Sequence, residues 1–324
     1  MKRRLVLAAG AAALSSPAFV GAQSAWPSRG PVRLIAQFPP GGLVDTVARL
    51  MAPHMSQALG QTVVVENRPG AGGNLGLDLA ARAAPDGYTL ALGQTSNLAI
   101  NPTLFPKMPY DVQRDFAPVA LVSSQPTLLV VSAQARWKSL AELVVDGRAD
   151  AGGLTMASAG SGTVGHLAGE MFAGRAGLRL VHVPYKGAAP ALTDLIGGQV
   201  ALFFASAGAV LPHLAAGKLR ALAVTSLKRM TQLPAVPSIA ESGWPDFEAT
   251  DWKALVAPAG TPAPVVTRLN LLVNDALGQA AVRDKLMADG SVPLGGSAER
   301  LTAYLVSEQA KWGAIVRATG ARVG

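Results

Sequence analysis

Gly160, Gly162 and Gly165 spell G-x-G-x-x-G between a run that reads as a strand, Leu154 to Ser158, and one that reads as a helix, Thr163 to Ala176. In that context the pattern is a dinucleotide fingerprint, whose glycines let the backbone approach a pyrophosphate at a helix N-terminus. The acid that should close a second strand some twenty residues on, to hold a ribose, is missing. That strand, Leu180 to Val183, runs instead into Pro184, Tyr185 and Lys186. A glycine loop leading into a helix still binds anions, because its amides lack intrahelical acceptors and the helix dipole favours negative charge. A carboxylate can therefore sit on Ser158 to Thr163 with no nucleotide involved.

The remaining chemistry-bearing residues make weaker constellations. His166 and Glu170 share a helix face at i, i+4, but the pattern is not H-E-x-x-H, and His54, His182 and His213 are distant in sequence, so no metal site is expected. His166 either pairs with Glu170 at the surface or, one turn inside its helix, points into a cleft. Ser158 lacks the glycine two residues before it that a nucleophile elbow requires. Asp45 and Arg49, also i, i+4, read as a solvated ion pair or a ligand contact. Lys186 has no cofactor motif beside it and reads as a cap on a hinge-side loop. Asn67 to Gly73 resembles a phosphate cradle without the Walker lysine and hydroxyl, and turn chemistry accounts for its glycines. With no Cys, thiolate metal sites, iron-sulfur clusters, disulfides and cysteine nucleophiles are excluded. No cofactor is expected.

The chain that must position these residues has 324 residues, 50% hydrophobic and 15% charged, which is ample for a buried core. Lys2, Arg3 and Arg4 followed by the apolar run Leu5 to Leu14 and by Val20-Gly21-Ala22 read as a signal peptide, residues 1–22, cleaved before Gln23. The residues around the twin arginine match the folded-export consensus poorly, so ordinary secretion to the periplasm is expected. Cleavage takes Lys plus Arg from 28 to 25 against 20 Asp plus Glu, a net of +5. No other apolar run approaches the ~18 residues of a membrane span. The positive charge is scattered without aromatic interleaving, which gives nucleic-acid binding no support and mildly favours anionic small molecules.

From Val32 the order is strand (Val32 to Gln37), glycine loop (Phe38 to Gly42), helix (Leu43 to Leu59), strand (Thr62 to Glu66), helix (Leu75 to Ala83) and strand (Tyr88 to Gly93), a βαβαβ unit with a parallel sheet. A second sheet follows from strands at Thr127 to Val131, Leu154 to Ser158, Leu180 to Val183, Val200 to Ala205 and Leu219 to Thr225, with Ser139 capping a helix through Asp146. A Pro-, Gly- and Trp-bearing connector runs from Pro237 to Asp251, then a strand, Lys253 to Ala257, and helices. The last, Ala298 to Thr319, shows Leu301, Tyr304, Leu305, Trp312, Ile315 and Val316 at helical spacing. Two crossings predict lobe 1 from 23–126 plus 251–324 and lobe 2 from 127–250, with a hinge and a central cleft.

The ordered blocks PVRLIAQFPPGGLVDTVAR (31–49), VVVENRPGAGGNLG (63–76), PDGYTL (85–90), NPTLF (101–105), ASAGSGTVGHLAGEMF (157–172), HVPYKGAAPALTDLIGGQV (182–200), GKLRALAVTSLKR (217–229) and APAGTP (257–262) span essentially the whole mature chain. Together they resemble the extracytoplasmic solute-binding receptors of the tripartite tricarboxylate transporter family, the Bug or TctC-like proteins. The resemblance implies an α/β, two-lobed, type II periplasmic-binding-protein fold. It implies a non-enzymatic monomer that closes on a small di-/tricarboxylic or aromatic acid and delivers it to a two-component membrane permease. By the same resemblance Phe38, Gly41 and Gly42 match a loop of one lobe whose amides hold a carboxylate directly or through water, and Ser158, Ala159, Gly160, Gly162, Thr163 and His166 match the opposing loop of the other. Gln94, Thr95, Ser96 and Asn97 add donors unless they form a solvent-facing turn. Relatives often carry an Asp after the aromatic of the Val200 strand, where this chain has Phe204, Ala205 and Ser206, so a ligand without an amino group is expected and Ser206 becomes a replacement donor. The alternatives are a ligand sensor docking on a membrane kinase, and a secreted hydrolase or isomerase using His166.

Overall fold

The computed structural model describes residues 26–321; the expected signal peptide lies outside them. β1 (Val32–Ala36) pairs in parallel with β2 (Val63–Asn67) and β3 (Thr89–Gln94), with α1 (Leu43–Leu59) and α2 (Asn74–Ala81) as the crossovers. Both faces of β1 are covered, which is why Val32, Leu34, Ile35 and Ala36 are all buried rather than alternating. α1 buries Val44, Val47, Ala48, Met51, Met55 and Leu59 at helical spacing and stops at Gly60, whose φ of 64° makes a left-handed C-terminal cap.

β3 continues into a π-helical turn, Ser96–Ile100, then α3 (Asn101–Leu104) and α4 (Val112–Asp115). β4 (Phe116–Ser132) is a single 17-residue strand. Only its second half was legible, because Pro118 and Pro126 argue against a strand. Pro118 lies where the register with β9 (Thr250–Pro258) shifts, so its missing N–H falls at an irregularity. Pro126 lies where β4 changes partner: it faces β9 up to Pro126 opposite Thr250, and β7 (Leu202–Ser206) from Thr127 opposite Ser206.

The second half adds α5 (Leu140–Ala149), β5 (Leu154–Ser158), α6 (Val164–Ala176), β6 (Leu180–Pro184), α7 (Ala188–Ile196), α8 (Ala207–Ala215) and β8 (Leu219–Val224). After β9 come α9 (Ala263–Gly278), α10 (Ala280–Ala288), β10 (Val292–Pro293) and α11 (Ala298–Thr319). The strands form one curled mixed sheet in the order β2-β1-β3-β9-β4-β7-β5-β6, with β8 and β10 pairing β4 off that path. This is a two-lobed α/β architecture in which β4 belongs to both sheet halves. α11 buries Leu301, Leu305, Trp312 and Val316, and its buried Glu308 accepts from the indoles of Trp252 (2.7 Å) and Trp312 (2.8 Å). That bond ties α11 to the strand that returns from the second half. No helix among the described residues is long and apolar enough to cross a membrane.

Candidate functional site

A cavity of about 320 Å³ lies where the two halves of the sheet meet. The second half supplies one wall through the starts of three helices. Ser161, Gly162, Thr163, Val164 and Gly165, around the N-terminus of α6, line it; so do Ala188, the first residue of α7, and Ser206, the N-cap of α8. Thr163 caps α6 by accepting from the His166 amide at 3.3 Å and donates to the Gly160 carbonyl at 2.8 Å. The amides of Ser161, Val164 and Gly165 have no acceptor within the described protein. The Ser206 hydroxyl makes no capping bond. Gly165 is compulsory because a Cβ there would stand 2.0 Å from the Phe204 carbonyl oxygen, so only glycine lets α6 sit this close to β7.

His166 stands behind this wall, not in it. Its Nδ1 accepts the Gly162 amide at 3.1 Å, which leaves the ring proton on Nε2, 3.8 Å from Glu170 Oε1. The ring stacks on His182 with centroids 3.8 Å apart, and His182 Nε2 lies 2.6 Å from Ser158 Oγ. Burial, and secondarily His182, push His166 down to about 4, so it is neutral at pH 7; burial also lowers His182 and raises Glu170. Ser158, His166 and Gly160 therefore shape the loop without lining the cavity, whereas Ala159, Gly162, Thr163, Ala205 and Ser206 line it. A base at His166 facing substrate is not what the geometry provides: one nitrogen is taken by a backbone amide and the residue is buried.

The opposite wall reaches the cavity just before α1. Phe38 lines the cavity, but Gly41 and Gly42 do not. The Gly41 amide donates to Asp45 Oδ2 at 2.9 Å, and the Gly42 amide to the Pro39 carbonyl at 3.3 Å. Burial opposes the charge on Asp45, but bonds from Arg49, the Gly41 amide and Asn67 hold its carboxyl below the usual range. The chain thus places its own carboxylate on the start of α1.

Gln94 and Ser96 line the cavity, with Gln94 Nε2 donating to Ser96 Oγ at 2.9 Å. Thr95 instead clasps β9, its hydroxyl oxygen accepting from the Trp252 amide at 2.8 Å. Asn97 Oδ1 accepts from the Gln94 amide at 3.0 Å. Thr95, Ser96 and Asn97 are buried and Gln94 partly so, rather than solvent-facing, because the run continues directly into the π-helical turn. Sequence reasoning missed Asn101, Phe105, Phe203 and Asp251, which line the cavity, and Gln37, which does not. Of these, Gln37 is fully buried, and neither its amide nitrogen nor its oxygen has a partner among the described residues. Gly73 makes room for it: a Cβ there would lie 3.0 Å from Gln37 Cγ and 2.6 Å from Asn97 Nδ2. The glycines of Asn67 to Gly73 therefore do more than turn the chain, and Gly72 itself lines the cavity.

The tripartite tricarboxylate transporter family receptor model matches residues 47–321. The chain belongs to that receptor family. BugT of Bordetella pertussis is 40% identical over 299 residues, covering 92% of this chain and 91% of BugT. The protein of the tcbD-tcbE intergenic region of Pseudomonas sp. (strain P51) is 42% identical over 316 residues, 97% of this chain and 94% of that one. Among solved structures, an R. palustris protein with adipate superposes with a TM-score of 0.83 at 37% identity, covering 92% of this chain and all of the other. The periplasmic binding protein BugD gives 0.79 at 34%, covering 91% and 99%. MatC from Rhodopseudomonas palustris, with bound malate, gives 0.76 at 35%, covering 88% and 98%. The receptor is accordingly a periplasmic solute-binding protein of the TctC/Bug type. Its cavity offers amide and hydroxyl donors on one side and the rings of Phe38, Phe105, Phe203 and Phe204 elsewhere, a lining suited to an anionic head on an apolar body.

Proposed function

We propose that the mature protein captures a small carboxylate between its lobes in the periplasm and hands it unchanged to a two-component membrane permease. The carrying observation is the set of unpaired amides at the start of α6, joined at the same cavity by the starts of α7 and α8. Three helix N-termini favour a negative charge there, and the amides are positioned before the ligand arrives. Charge-assisted hydrogen bonds contribute roughly 1.5–3 kcal/mol each, so a few reach the ~8 kcal/mol of micromolar affinity after ordering costs. Adipate and malate in two solved relatives support the ligand class. Closure would swing residues 127–250 against 23–126 plus 251–324, about the partner change in β4 and the start of β9. In this reading the direct contacts come from Phe38, Gln94, Ser96, Ala159, Gly162, Thr163, Ala205 and Ser206, while Gly41, Gly42, Thr95, Asn97, Ser158, Gly160 and His166 hold the loops in shape.

The test is a thermal-shift screen of the mature, unfolded-and-refolded protein against mono-, di- and tricarboxylates, aromatic acids and amino acids. A ligand at ~100 times its Kd adds about 2.7 kcal/mol, a shift of several degrees. Shifts confined to carboxylates, with the ligand recovered intact by mass spectrometry, support the reading. A shift with cationic or neutral ligands alone, or turnover, overturns it.

A further inference from the structure

Asp251 is a carboxylate in the wall of a cavity that otherwise welcomes carboxylates. Its Oδ2 lies 3.1 Å from Lys253 Nζ, which also donates to the Asp251 carbonyl at 3.1 Å. Lys253 is completely buried, and burial pulls its pKa down against the opposing influence of Asp251. Asp251 Oδ1 is buried and has no hydrogen-bond partner among the described residues. The antiparallel register of β4 and β9 sets Gln125 opposite Asp251 and Ser123 opposite Lys253, so all four side chains share one face. Gln125 donates its amide nitrogen to the Asp289 carbonyl, which orients its Oε1 as an acceptor, and that Oε1 is unpartnered too. Ser123 Oγ, fully buried, also lacks a partner. Buried polar atoms are rarely left unpaired, and here one belongs to the ion pair and two flank it beside the cavity. The unmet capacity is mainly for accepting hydrogen bonds.

We propose that Asp251 determines specificity by accepting a hydrogen bond from a hydroxyl group on the carboxylate ligand, so that the receptor selects hydroxylated monocarboxylates. The inference rests on the carboxylate reading above. A carboxylate rotates readily about its last bond, so whichever oxygen Lys253 does not hold can turn to an incoming O–H. A ligand ammonium is disfavoured because Lys253 already stands one carboxylate's width behind, and a second ligand carboxylate is disfavoured because it would meet Asp251 itself. A neutral donor meets neither penalty. Leaving the carboxylate unsatisfied is the penalty for a ligand with a methyl group at that point.

Two matched series test this by isothermal titration: butyrate, 4-hydroxybutyrate, 4-aminobutyrate and succinate; then hexanoate, 6-hydroxyhexanoate, 6-aminohexanoate and adipate. The hydroxy acid is expected to bind at least tenfold tighter than the other three in at least one series. Asp251→Asn combined with Lys253→Met, which leaves no buried unpaired charge, should reduce that preference to less than threefold. Asp251→Asn alone serves as a second variant if it folds by circular dichroism. Preference for the amino or the dicarboxylic acid, or a hydroxyl preference that survives the double substitution, overturns the assignment of Asp251. In each of those cases the plain acids still report whether the carboxylate reading stands; no binding by any of the eight overturns the assignment of Asp251, and the wider thermal screen with aromatic and tricarboxylic acids decides the carboxylate reading separately.

Discussion

Two glycine loops open onto two helices in this molecule, and each uses the same local bond. At α1 the Gly41 amide donates to the side chain four residues on, Asp45; at α6 the Gly162 amide donates to the side chain four residues on, His166. Both acceptors occupy the third helical position after the cap. Asp45 is an anion, so α1 satisfies its positive end from within the chain. His166 is neutral, so α6 keeps its loop shape and leaves the dipole and its outer amides for an anion from solution. One charge at one position thus separates a self-capped helix from one whose outer amides stay open to an anion.

That difference can be broken directly. His166→Asp should reproduce the α1 arrangement at α6 and cost at least a hundredfold, about 2.7 kcal/mol, in the affinity of the best acid from the thermal screen, with the fold intact by circular dichroism. Unchanged affinity would mean that the α6 start does not hold the ligand's charge. Gly165→Ala attacks the packing instead: with its new Cβ 2.0 Å from a carbonyl oxygen, α6 must move, and a loss of roughly 1–3 kcal/mol in urea unfolding is expected. Gly41→Ala meets nothing within 4 Å and is strained only by its φ of 80°, so its cost should be no more than ~1–2 kcal/mol.

Acid sharpens the same contrast. The folded His166 sits near 4 against an ordinary 6.5, so the unfolded chain takes up the proton first. Its stabilising contribution is complete above pH 6.5 and is lost as pH falls toward 4, by ~1–2 kcal/mol between pH 6.5 and 5. Melting temperature against pH should show this slope, flattened in His166→Gln. Asp45, whose carboxyl is held below its ordinary 3.8, keeps its full contribution across this range and loses it only as pH falls beneath that value. The smallest effect is expected from Asp45→Asn, which should lower stability by ~1 kcal/mol or less and leave ligand affinity within twofold.

Much of the fold could be read from the residues because its cues are local. The βαβαβ order, the 17-residue α1 and the α11 stripe follow from periodicity and from glycine stops such as Gly60. β4 resisted because its prolines are tolerated only at a register shift and at the change of sheet partner, and both are properties of neighbouring strands. The Gln94 to Asn97 run resisted for a related reason: nothing local distinguishes a polar turn from a buried π-helical continuation that Trp252, more than 150 residues away, helps to hold.

By itself the sequence determined the glycine loops, the helices that follow them and the family to which they belong, since capping and turn chemistry depend on residues only a few positions apart. Only the tertiary structure decided which loop is free to bind. Asp45 and His166 each sit four residues after a glycine, but whether that side chain is charged depends on burial and on partners, Asn67 and His182, that folding alone brings together. Asp251 shows the same division: its carboxylate is plain in the chain, and its place in the cavity comes from a strand register that pairs distant segments.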